Sequence, residues 1–260
     1  MSPFKPYLLF QLYGPMAAWG DIAVGESRVT AMLPGRSALL GMLAAALGLR
    51  RTDEKHLVSL SASIRFAVLT LNSGHFLRDY HTVQVPPANT LKKRPARTRR
   101  DELSMPKAKL GTILSSRDYR CDAVQRVAVE DSEEGDYTLE RLQQALLRPI
   151  FPLYLGRKAC PPALPLQPQI IESANVLEAF RNADFELPAK WMKDIVPFGD
   201  IPALEAGPYP LCWEEGMDSG IAPMKTVPRR DQPRTRRRWQ FDERIEHQAM
   251  LDTLEETPCT

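Results

Sequence analysis

An α+β fold is predicted by three features of the sequence. Short apolar segments with period-two spacing alternate with segments of helical spacing. A long stretch, Gln84–Arg117, interrupts them with prolines and cations and no apolar period of its own. Beyond about residue 173 the periodic signal weakens, so a smaller and less regular carboxy-terminal portion is expected.

The elements follow in order. In Tyr7–Tyr13, Leu8, Phe10 and Leu12 share one face, the pattern of a half-buried strand, and Gly14-Pro15 ends it. Ser37 is placed as the N-cap of a helix carrying Leu39, Leu40, Leu43, Ala44 and Leu47 on one side, with Gly48 as its stop. Asp53–Leu60 adds a short helical segment. Ile64–Leu71 reads as a second strand, broken by Asn72-Ser73-Gly74. Leu77–Val83 is a short mixed polar and aromatic segment leading into the 84–117 protrusion, a hairpin or a loop ordered by a partner. Tyr119–Glu130 returns to a strand pattern, and Thr138 caps a helix running to about Leu147. Phe151–Pro168 is a loop, and Gln169–Glu172 is the preferred closing strand. Strand, helix, strand, protrusion, strand, helix, strand is a split βαββαβ, or ferredoxin-like, order. Asn175–Arg181 reads as helix and Tyr209–Trp213 as strand, whereas Thr226–Arg238 is too basic for a core. The expected division is 1–172 for the first unit and 173–260 for the remainder.

Composition narrows the function. The 260 residues can bury a sizeable core, and 43% hydrophobic with 25% charged residues is ordinary for a soluble protein. Net charge is only +2, yet the cations cluster. Lys92, Lys93, Arg94, Arg97, Arg99 and Arg100 crowd one segment, and Arg229, Arg230, Arg234, Arg236, Arg237 and Arg238 another. Such clusters suit either a local anionic partner or solvated loops. Cys121, Cys160, Cys212 and Cys259 form no CxxC pair, and no histidine cluster accompanies them, so no metal site is expected. No apolar run reaches the ~20 residues needed to cross a bilayer. The opening residues lack the apolar core of a secretion signal, so a cytoplasmic setting with free thiols is the default.

Several residues have the chemistry of a nucleic-acid site. Trp19, Arg28 and Arg36 lie between the first strand and helix, where Trp19 either stacks on a base or fills the core. Arg36 and Ser37 sit at a helix amino terminus, a ready anion site or a simple cap. Arg78, Tyr80 and His81 are close in sequence; Tyr80 and His81 suit acid–base cleavage of RNA, or are structural. Tyr154, Gly156, Arg157 and Lys158 combine a stacking ring, a permissive backbone and charge, or form a surface turn. The 229–238 run with Trp239 suits RNA, DNA, a neighbouring subunit or a disordered tail.

The same stretches carry a family resemblance. GPMAAWG, then Arg28 and Thr30, then Pro34 and RSALLGMLAAALGLRRTD, resemble the amino-terminal signature of the CRISPR-associated CasD family. LRDYHTV at 77–83, YRCDA at 119–123, YLGRKACP at 154–161 and the weaker VPRR…RW pattern follow in order. That family is the RAMP-type subunit of type I-E Cascade. The resemblance implies an RRM-like RAMP domain with a thumb at about 84–117, and a noncatalytic subunit that binds the 5′ handle of the guide RNA. It implies the complex's backbone and large subunits as partners, target DNA reached through the complex, and no cofactor. Trp19, Arg28, Arg36, Ser37, Arg78, Tyr80, His81, Lys92, Lys93, Arg94, Arg97, Arg117, Tyr119, Tyr154, Gly156, Arg157 and Lys158 are then the expected RNA contacts. Some relatives in other subtypes are the processing endonuclease, which keeps a metal-independent ribonuclease using His81 and Tyr80 as the alternative. A purely structural protein meeting acidic partners is the third class.

Overall fold

Strand β1 (Lys5–Tyr13) lies one strand in from the edge of a seven-stranded sheet ordered β11 (Lys225–Thr235), β12 (Gln240–Leu251), β10 (Tyr209–Glu214), β5 (Ile64–Asn72), β8 (Val124–Asp131), β1, β9 (Gln169–Ser173). The computed structural model describes residues 4–21, 23, 25–93, 95–132, 135–185, 207–235, 238 and 240–254. β1 pairs antiparallel with β8 (Val124–Asp131) on one side and with β9 (Gln169–Ser173) on the other. β5 (Ile64–Asn72) pairs antiparallel with β8. Helices α1 (Arg36–Ala46) and α5 (Leu139–Leu147) join these strands and pack on one face with Leu8, Phe10 and Leu12 of β1. Between them in sequence, α2 (Glu54–Ser63) leads directly into β5.

β1 was expected to be half-buried, and it is buried on both faces. Tyr7, Leu9 and Tyr13 enter a second core with Val176 and Phe180 of α6 (Val176–Asn182) and Leu211 and Trp213 of β10 (Tyr209–Glu214). The carboxy-terminal portion therefore covers the sheet's second face. It also extends the sheet: β10 pairs with β5, β12 (Gln240–Leu251) with β10, and β11 (Lys225–Thr235) with β12 as an edge strand. The expected division after residue 172 thus cuts a continuous sheet. Much of the 226–238 run is β-structure, because an edge strand needs only one neighbour, and its Pro228 and Pro233 are tolerated at an edge.

The predicted Tyr119–Glu130 strand is two strands, broken where Asp122 adopts φ 61. The first, β7 (Gly111–Cys121), pairs along its full length with β6 (His75–Val85) in a long antiparallel ribbon. The ribbon stands outside the main sheet, in a separate one ordered β3-β7-β6, with β3 being Ser27–Arg28. Its tip carries two short helices, α3 (Ala88–Lys93) and α4 (Arg99–Glu102). The expected 84–117 protrusion is therefore the outer part of a longer, more regular hairpin. Most side chains of β6 face solvent on both sides, so no apolar alternation marks it in the sequence. A two-residue pair, β2 (Trp19–Gly20) and β4 (Thr30–Ala31), completes the described strands.

Candidate nucleic-acid interface

Two surfaces meet at the foot of the ribbon. The first is on the ribbon itself. Residues opposite one another in an antiparallel pair share a face, so Phe76, Arg78 and Tyr80 stand with Arg120, Asp118 and Ser116. Phe76 is half exposed, and the guanidinium groups of Arg78 and Arg120 lie 5.4 and 5.8 Å from its ring centroid. An exposed ring flanked by two cations is a platform for a base and its phosphates. Arg78 is aimed by a two-pronged ion pair, Nε and Nη2 donating to the buried Asp118 at 2.8 and 3.1 Å. Those hydrogen bonds hold the Asp118 carboxyl below the usual carboxylate range, against the opposing effect of burial.

The ribbon foot is anchored through backbone and Arg157. Ala17 and Arg120 exchange N–H···O bonds of 2.7 and 2.8 Å, and β3 runs parallel to Ser116–Arg117. Arg157 donates to the carbonyls of Asp118 (3.0 Å) and Arg28 (2.9 Å) and lies 4.7 Å over the Tyr119 ring. Gly156, at φ +85, sits so close to Ala18 that a Cβ there would lie 1.9 Å from the Ala18 carbonyl oxygen. Position 156 can thus be filled only by glycine, and the Ala18 N–H, donating to the Leu155 carbonyl at 2.9 Å, holds the 154–158 turn there.

The second surface is a groove of about 610 Å³ beside α1. Its floor includes Ser37, Ala38, Gly41 and Ala45, the small-residue face of a helix whose leucines point into the core. Tyr154 and Gly156 form one wall, and Arg229, Arg230 and Phe241 of the β11–β12 hairpin form the other. Arg230 is directed by a 3.3 Å bond from its Nε to the Phe241 carbonyl.

That hairpin is locked to α1 by buried charge. Arg36 pairs with Glu214 and donates from Nη2 to the carbonyls of Ser61 (2.6 Å) and Ile64 (3.0 Å), with its guanidinium 5.5 Å from the Phe66 centroid. Arg244 donates to Asp231 at 2.6 and 3.0 Å and to Glu246 at 2.8 Å. Burial alone would lower the Arg244 pKa, but the carboxylates of Asp231, Glu214 and Glu246 more than offset it and hold the group charged. Asp231 also accepts the backbone N–H of Arg36 at 2.7 Å.

These contacts correct several expectations. The anion site foreseen at the start of α1 is filled internally by Asp231. The N-cap is Gly35, not Ser37, and Ser37 lines the groove instead. Arg36 is turned inward and is 6% exposed. Trp19 and Tyr119 are core residues. Arg157 is occupied as a brace, while its neighbour Lys158 is exposed. Exposed Arg28 bonds to its own turn at Gly25 and Ser27. Tyr80 and His81 point to opposite faces of the ribbon, with His81 held by Asp79 on its own face, as is exposed Arg117. They therefore form no convergent acid–base pair. Lys92 and Arg97 lie at the tip with α3, whose last residue is Lys93; Arg94 lies outside the described residues.

Sequence reading missed Phe76, Arg120 and Phe241 as site residues. Phe76 was detectable as the residue two before Arg78 on an extended segment; Phe241 had no local signal. Among the described residues no cluster of metal-ligating side chains occurs, and no helix is long and apolar enough to cross a membrane.

A mixed α/β body with a groove where Arg229 and Arg230 are balanced by Asp21 and Asp231, and with a protruding ribbon, defines a candidate RNA-handling protein, and comparison identifies the kind. The family described as CRISPR-associated protein (Cas_Cas5) matches residues 7–245, and this chain belongs to that family. It is 36% identical over 170 residues to the CRISPR system Cascade subunit CasD of Escherichia coli (strain K12), covering 62% of this chain and 70% of that protein. Its fold is similar to a chain of a CRISPR RNA-guided surveillance complex (TM-score 0.59, 28% identity), covering 94% of this chain and 90% of the other. A structure titled as a Cas protein shares the fold at TM-score 0.54 and 24% identity, covering 94% of each chain.

Proposed function

We propose that this chain is a noncatalytic, guide-RNA-binding subunit of a type I-E Cascade surveillance complex, where it caps the 5′ handle. The observation that carries this reading is the groove beside α1. Its small-residue floor admits a backbone closely, Arg230 suits a phosphate while Arg229 is shared with Glu246, and Tyr154 and Phe241 offer rings for splayed bases. The likeness to the Cascade subunit CasD and to a chain of an RNA-guided complex supports membership of such an assembly.

The antiparallel order β5-β8-β1-β9, with α1 and α5 on one face, supports reading this part as a ferredoxin-like RAMP domain. The β6–β7 ribbon is then its thumb. Exposed Leu77, Val83 and Ile113 on one ribbon face suit the complex's backbone subunit. The large subunit and target DNA are reached within the complex, and the setting is cytoplasmic. The divergence of Tyr80 and His81 favours binding without cleavage.

The test incubates the chain, alone and with the other Cascade subunits, with labelled CRISPR repeat RNA in EDTA. Retarded, intact RNA is expected, with Arg230→Ala/Phe241→Ala binding at least tenfold more weakly. Cleavage abolished by His81→Ala would refute the noncatalytic reading. Failure to retain RNA in either setting would refute the RNA role.

A further inference from the structure

The charge of this chain is not spread over its surface. Residues 86–110 hold eight lysines and arginines against two acids, a net +6 within a chain of +2, so everything outside the tip sums to −4. The ribbon carries this charge away from the body. Its strands are 11 residues long, which at ~3.4 Å per residue puts the tip about 34 Å from the foot. Both acids are already engaged. Asp101 completes a capping box with Thr98, and Glu102 pairs with Arg99 at 2.5 Å. Lys92, Arg97, Arg100, Lys107 and Lys109 are exposed and carry no ion pair among the described residues.

The tip differs from the foot in a second respect. Between residues 86 and 110 there is no Phe, Tyr, Trp or His. The foot and groove supply Phe76, Tyr80, Tyr154 and Phe241. Proteins hold single strands by stacking bases on rings, whereas a duplex hides its base faces and offers phosphates. A surface of cations without rings fits the duplex. Recognition of an RNA duplex draws on its shape and on 2′-hydroxyl contacts as well as phosphates, whereas the tip's exposed chemistry is predominantly cationic, so B-form DNA is the better match.

We infer that the ribbon tip is a second nucleic-acid surface that grips the phosphate backbone of double-stranded DNA without regard to sequence, separately from the groove beside α1. Its cations replace condensed counterions, so affinity falls steeply with salt, by about 0.9 in log–log slope per phosphate contact.

The full chain is titrated against a 30-base-pair DNA of arbitrary sequence, from 50 to 300 mM NaCl, by fluorescence anisotropy. Three other probes run in parallel: the single-stranded DNA, an RNA duplex of equal length, and CRISPR repeat RNA. The tip variant is Lys92→Ser/Arg97→Ser/Lys107→Ser/Lys109→Ser. The control is Arg50→Ser/Arg51→Ser/Lys55→Ser/Lys225→Ser, with the same charge change at exposed positions elsewhere. Lys107→Glu/Lys109→Glu serves as a second, smaller tip variant. The expected result is a DNA-duplex affinity at least tenfold weaker in the tip variant, with a slope shallower by up to about 3.6 for four contacts. The control stays within threefold, and in the tip variant repeat RNA loses less affinity than the DNA duplex. Equal losses in tip and control variants would overturn the inference, as would a larger loss for single strands, RNA duplex or repeat RNA than for DNA duplex. So would absence of duplex binding by the unaltered chain at 50 mM salt.

Discussion

Arg36 offers a decisive perturbation, because its position at a helix amino terminus suggests phosphate binding while its surroundings assign it to folding. Arg36→Ala would leave the buried Glu214 carboxylate with only the more distant Arg244, 4.0 Å away, and leave the Ser61 and Ile64 carbonyls without their donor. Removing one partner of a buried ion pair costs about 3–5 kcal/mol, because the survivor keeps its desolvation penalty and loses its counter-charge. For a chain of this size each kcal/mol lowers the melting temperature by about 2–4 °C, so the expected fall is about 6–20 °C. Arg36→Met/Glu214→Leu removes both charges at similar volume and should recover most of that loss, since an apolar pair is often neutral or stabilising. Arg244 remains satisfied by Asp231 and Glu246 in that double variant. Urea midpoints of the wild type, Arg36→Met, Glu214→Leu and the double variant close the cycle. Repeat-RNA affinity is measured at a temperature where these four and Arg36→Ala are folded. Arg36→Ala with stability within ~0.5 kcal/mol of wild type and RNA affinity reduced tenfold would refute the argument and restore Arg36 to the RNA surface.

Other outcomes follow from the same geometry. Phe76→Ala should leave the melting temperature unchanged, since the ring is 53% exposed, and weaken repeat-RNA binding roughly 5- to 150-fold, the ~1–3 kcal/mol of one stacked base; a change within twofold would remove the ribbon platform from the interface. Gly156→Ala places a methyl 1.9 Å from the Ala18 carbonyl oxygen at φ +85, and strain of about 1–3 kcal/mol should lower the melting temperature by about 2–12 °C. Asp118 has its folded-state pKa lowered, chiefly by the Arg78 hydrogen bonds, so its contribution to stability is present above the unfolded carboxylate value of ~3.9 and lost as pH falls through the folded value. The stability gap between wild type and Asp118→Asn should accordingly be flat near neutrality and shrink below about pH 4; a gap that widened in acid would reverse the assignment.

What the sequence by itself determined was local and periodic. The spacing of Leu39, Leu40 and Leu43 marks α1, Thr138 caps α5 by accepting from the Arg141 N–H, and Gly48 at φ +75 ends the first helix. The residues 169–172 were legible as a strand because a turn-rich loop isolates them. Family membership was legible too, since ordered motifs survive where a composition near neutral charge says little.

Only the tertiary structure decided which cations are free. Arg36, Arg157 and Arg230 look alike in sequence, yet one is buried with Glu214, one braces the ribbon foot, and one lines the groove. The distinction depends on Glu214, Asp118 and Phe241, which lie 178, 39 and 11 residues from their respective partners. A charge's availability depends on what folds against it, and neither spacing nor propensity encodes such distant pairings. The same reason hid the second buried face of β1: its covering came from α6, far along the chain, so a strand that reads as half-exposed is buried on both faces.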